Sequence, residues 1–145
     1  MASHPSIAAS AVAVTAAIQS TKSLSATVER YKDRDMTLAR LQDQLEELTT
    51  ALSLLSEAAG SGESISTLLE GLVERCSQVC RDFEGTMEQF GGKTKTGFRD
   101  WTKMELRGSI HDFIDTLTGY KSTIMVWLGT ITMSVTYLIL IRSFR

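Results

Sequence analysis

Two cysteines are the first residues whose type and spacing could do chemistry. Cys76 and Cys80 stand four residues apart, which places both thiols on one face of a helix. A zinc site needs a second pair of ligands at short spacing, and none flanks these two, so no metal is expected. Free thiols of this kind pack as small apolar groups in a core, and they imply a reducing, cytoplasmic setting. The two histidines add little: His4 lies near the start, and His111 sits beside Asp112 at a polar helix position. Gly92-Lys93-Thr94 is a fragment of a phosphate-loop pattern, but it follows a helical stretch and lacks the longer glycine spacing of a true loop. Carboxylates such as Glu46 and Glu47 fall on a solvated helix face. No nucleophile, base and stabiliser converge, so the expectation is a non-enzymatic chain without a cofactor.

Charge narrows the partners. The chain has 145 residues and a net charge of −2, whereas nucleic-acid binding calls for a basic stripe; no nucleic acid is expected. Lys93, Lys95, Arg99, Lys103 and Arg107 cluster around Phe98 and Trp101. Asp100 and Glu105 dilute that cluster, so a solvated loop is favoured over a contact with anionic headgroups.

The elements that must carry these residues read as helices throughout. Residues 6 to about 25 are rich in alanine, the best helix former, with Pro5 suited to a helix start. A second helix is expected from Val28 to Ala59. In it Leu38, Leu41, Leu45, Leu48, Leu52 and Leu55 are spaced three, four, three, four and three, an apolar seam for helix packing. The seam is under three heptads, so burial inside a small bundle is favoured over a free coiled coil. Gly60-Ser61-Gly62 ends it. A third helix is expected from Ser64, with Ile65, Leu69, Leu72, Cys76, Val79, Phe83, Met87 and Phe90 at helical spacing, stopped by Gly91-Gly92. Residues 98–108 suggest a short amphipathic piece ended by Gly108, and Ser109 a cap for a last helix carrying Ile110, Phe113, Ile114 and Leu117.

The C-terminal segment differs in kind. From Ser122 to Ile141 no residue is charged, and Lys121 and Arg142 bracket the run. Twenty residues is the length a helix needs to cross a bilayer core. Ser122, Trp127, Leu128, Ile131, Tyr137 and Ile141 mark this candidate membrane segment. Thr130, Thr132, Ser134 and Thr136 argue against a span, although each hydroxyl can bond to its own helix's carbonyls. The alternation over residues 131–137 fits a half-buried strand, but a strand without a partner is unstable, so helix is retained. The rival to a span is burial of residues 110–128 as a core helix, with the remainder on the bundle.

Several motifs match a known family. Pro5-Ser6-Ile7-Ala8-Ala9-Ser10 resembles the opening of the fungal N-terminal domain of STAND (NLR-like) proteins, also found at the start of the azaphilone pigment cluster protein L. Leu69-Glu70-Gly71-Leu72 with Cys76 is similar to that family's middle helix. The more specific block is Phe98-Arg99-Asp100-Trp101, Arg107-Gly108, Phe113, Gly119-Tyr120-Lys121-Ser122-Thr123-Ile124 and Leu128. The likeness covers roughly residues 3 to 130. It implies a helical bundle distantly related to death-inducing domains and a signalling or membrane-targeting effector module without catalysis. The apolar residues 129–145 depart from the charged amphipathic end that the family pattern leads one to expect.

Together these readings predict an all-α fold: an antiparallel bundle of four to five helices with an apolar C-terminal helix. Residues 1–121 form the bundle, 122–141 the apolar helix or tail anchor, and 142–145 a short basic tail. The function expected is a non-catalytic signalling or interaction module, with a protein partner or self-association through helices, and with membrane lipids as a further partner. The alternative is a tail-anchored membrane tether or coiled-coil adaptor. A cytoplasmic location, with the C-terminal segment on an intracellular membrane, follows from either.

Overall fold

The computed structural model describes residues 7–34, 36–60, 67–91 and 104–143. Every described element is helical: α1 (Ile7–Tyr31), a 3-10 turn (Lys32–Arg34), α2 (Met36–Gly60), α3 (Thr67–Gly91) and α4 (Met104–Ser143). The fold is all-α, as the periodicity requires.

Two boundaries differ from the sequence expectation. The first helix continues to Tyr31, because Thr27 and Val28 are both buried and packing carries the helix through them. The chain turns instead in the charged run at Lys32–Arg34. Gly108 does not break a helix, and Ser109 is not a cap: α4 runs unbroken for 40 residues from Met104. An internal glycine costs about 1 kcal/mol, and burial of Ile110, Phe113 and Leu117 a turn further on outweighs it. The ends expected at Gly60 and Gly91 are where α2 and α3 end. Ser64, Ile65 and Trp101 lie outside the described residues.

Hydrogen bonds between helices fix how they lie. Gln42 Nε2 on α2 donates to Ser25 Oγ on α1 at 2.8 Å, joining residues equally far from the connecting turn, so α1 and α2 run antiparallel. Between α1 and α3 the register advances in the same direction: Ser20 with Ser77, Thr21 with Cys80, Ser23 and Thr27 with Glu84. Those two helices are therefore parallel neighbours. The same holds for α2 and α4, linked by Thr118 to Gln44 and Lys121 to Glu47. Successive helices alternate in direction, while α1 packs on α2 and α3, and α4 packs chiefly on α2.

The leucine seam fills the centre. Leu38, Leu41, Leu45, Leu48, Leu52 and Leu55 are all fully buried, meeting Leu24 and Val28 of α1, Val73, Cys76 and Cys80 of α3, and Ile110, Leu117 and Ile124 of α4 in one core. Phe83 and Phe113 stack face to face at 4.3 Å, tying α3 to α4.

Candidate functional site

The α1–α3 contact is built from hydroxyls. Ser20 and Ser77 share a buried hydrogen bond of 2.9 Å. Thr21 donates to the Ala17 carbonyl at 2.7 Å, a bond within its own helix, and lies 3.9 Å from Cys80 Sγ. Glu84 accepts from Ser23 at 2.7 Å and from Thr27 at 2.9 Å. These side chains satisfy one another, as buried polar groups must. They hold two helices together.

Cys76 and Cys80 are buried free thiols, as their spacing suggested. A hydrogen bond to Cys80, followed by burial, holds the Cys76 thiol well above its ordinary range. A thiol so placed is a poor nucleophile. Gln42 carries the one unmet demand: its Oε1 is buried and makes no hydrogen bond among the described residues. Among the described residues no group of three His, Cys, Asp or Glu is arranged for a metal. The Gly92-Lys93-Thr94 fragment and Lys93, Lys95, Arg99 and Lys103 of the basic cluster lie outside the described residues.

The candidate membrane segment divides in two. Ile124 is fully buried, and Trp127 and Leu128 pack against the core, so the segment begins as part of the bundle. Ser122 and Ile141 are exposed, and the side chains of Ile131 and Tyr137 lie outside the described residues. Among the described residues no helix is long and apolar enough to cross a membrane.

The outer stripe of α4 is the feature that stands apart. Asp112, Asp115, Ser122 and Val126 fall on one face by their spacing. That face is charged in its first half and uncharged in its second, where Val126 is 70% exposed; Met125, 46% exposed, lies on the adjoining side of the helix. Sequence periodicity located the uncharged run but could not say which of its side chains face outward.

The architecture is that of a small helical bundle with a packed interior, whose last helix carries no charge from Ser122 to Ile141. Within that class, the chain belongs to the family described as pigment biosynthesis cluster protein PigL N-terminal, which it matches over residues 3–141. The match extends beyond residue 130 and takes in the whole uncharged run to Ile141, so that run is part of the family's domain. Neither curated proteins nor solved structures include a significant match.

Proposed function

We infer that this chain is a non-catalytic interaction module whose working surface is the uncharged outer side of α4. The observation that carries this reading is the exposure of Met125, Val126, Leu140 and Ile141 on one helix. Met125 and Val126 adjoin one another, Leu140 and Ile141 form a second pair about four turns further along the helix, and exposed large apolar groups that adjoin one another mark contact sites. The resemblance to the N-terminal domain of fungal STAND proteins supports a signalling role for the contact.

A photo-activated cross-linking residue at Val126, with a second at Asp112 on the same stripe, tests this in cells that express the full chain. Adducts at position 126 and none at 112 are expected. Equal yields at the two positions would defeat the reading.

A second reading keeps the same surface and gives it lipid. Its support is the twenty-residue run without charge between Lys121 and Arg142. The family match through residue 141 favours the domain reading, because it treats the run as part of a folded unit rather than an appended anchor.

A further inference from the structure

Two thiols sit at the centre of the α1–α3 contact. Cys76, Ser77, Cys80 and Glu84 follow one another along α3 at helical spacing, so all four share the side that meets α1. Ser77 holds Ser20 at 2.9 Å, Glu84 holds Ser23 and Thr27, and Cys80 Sγ lies 3.9 Å from Thr21 Oγ1. Between these bonds the thiols meet each other: Cys76 donates a hydrogen bond to Cys80, and both are fully buried.

A helix keeps such thiols close without letting them join. Side chains four residues apart have Cβ atoms about 5–6 Å apart, whereas a disulfide needs about 3.5–4.5 Å. Joining Cys76 to Cys80 therefore requires the turn between them to unwind. That turn contains Ser77, so unwinding draws Ser77 from Ser20 and Cys80 from Thr21 and acts on the helix contact itself. Strain of this kind leaves a disulfide easily reduced, which makes the change reversible.

The two thiols differ in role. The hydrogen bond from Cys76 holds the Cys80 thiol below its ordinary range and that of Cys76 above it. Cys80 is thus the attacking thiol, and Cys76 the one that resolves. The contact that covers them is also suited to local opening. α3 packs on α1 and only slightly on α4, and the hydroxyls and carboxylate along it regain hydrogen bonds from water when α3 lifts.

We propose that Cys76 and Cys80 form a redox-sensitive latch on the α1–α3 contact, closed as two thiols and released as a disulfide, with hydrogen peroxide as the oxidant. The latch is independent of the α4 surface and goes beyond the interaction-module reading. As α3 lifts, Cys80 gives up its proton and its thiolate attacks one peroxide oxygen. The O–O bond breaks, the sulfur is oxidised to a sulfenic acid, and the departing hydroxide takes up that proton as water. Cys76 then attacks the oxidised sulfur. The S–S bond forms, the S–O bond breaks, and the hydroxyl leaves as water with the Cys76 proton. Two thiols and one peroxide give one disulfide and two waters.

Peptide-mapping mass spectrometry of the full chain treated with hydrogen peroxide, with circular dichroism and urea unfolding on the same samples, tests the latch. Loss of two hydrogens on a peptide holding Cys76 and Cys80 is expected. Helix content and the urea midpoint should fall together, and dithiothreitol should restore both. Glu84→Ala loosens the contact and should speed the oxidation about fivefold, the scale of a lost acceptor. A chain carrying Cys76→Ala and Cys80→Ala, treated alike, accounts for oxidation of the six methionines; dithiothreitol should recover none of its change. A pair that stays reduced in the native chain would overturn the proposal. So would a disulfide that leaves helix content and midpoint unchanged, or an oxidation rate that Glu84→Ala does not alter.

Discussion

Truncating Leu48 to alanine should cost about 3 kcal/mol, while the same change at Leu54 should cost under about 1 kcal/mol. Both are α2 leucines, six residues apart. Leu48 is fully buried and Leu54 is 41% exposed. Leu→Ala in a core loses about 2–5 kcal/mol, the spread reflecting how far the site collapses. At Leu48 collapse is limited, because α2 packs on both α1 and α4 and neither can move toward the gap without leaving the other. At Leu54 little burial is lost, and alanine's better helix propensity offsets part of it. For a chain of 145 residues total stability is about 7–20 kcal/mol, and each kcal/mol moves Tm by about 2–4 °C. Leu48→Ala should therefore melt about 10 °C below the parent and Leu54→Ala within about 3 °C of it. Thermal and urea unfolding followed by far-UV circular dichroism measure both. Equal losses at the two positions would refute the register assigned to α2. Leu48→Asp, which buries an unpaired carboxylate, should not fold at all.

Glu84→Ala should destabilise the chain by about 1 kcal/mol, since it strips the acceptor from Ser23 and Thr27; the urea midpoint beside that of Glu88→Ala reports it. Cys76, buried and held protonated by Cys80 and by burial, should resist alkylation in the native state and react only on unfolding, as mass spectrometry of a timed iodoacetamide reaction will show. On alkaline carbonate extraction from cells, the full chain should be recovered in the soluble fraction. Pelleting that disappears in a version ending at Thr123 would favour a membrane span.

The leucine seam was legible because six residues of one type at spacings of three and four leave few other readings, and all six are buried. Helix ends at Gly60 and Gly91 were legible for the same local reason. What escaped was set by tertiary contact. Ser20, Thr21, Ser23 and Thr27 resemble solvated helix positions until α3 supplies Ser77, Cys80 and Glu84. Gly108 resembles a break until the packing of the turns after it is known. The uncharged run of residues 122–141 was visible in the sequence, but which of its side chains pack on the bundle depends on how α4 lies against α2, which no local pattern encodes.

The role proposed for the uncharged second half of α4's outer stripe is contact and not packing. Val126→Glu in the full chain tests it most directly, with the unfolding midpoint and the native mass in an extract of the expressing cells measured on the same variant. An unchanged midpoint is predicted, together with a shift from a larger assembly to the 16.0 kDa monomer. A lowered midpoint, or an assembly that survives the substitution, would contradict the claim.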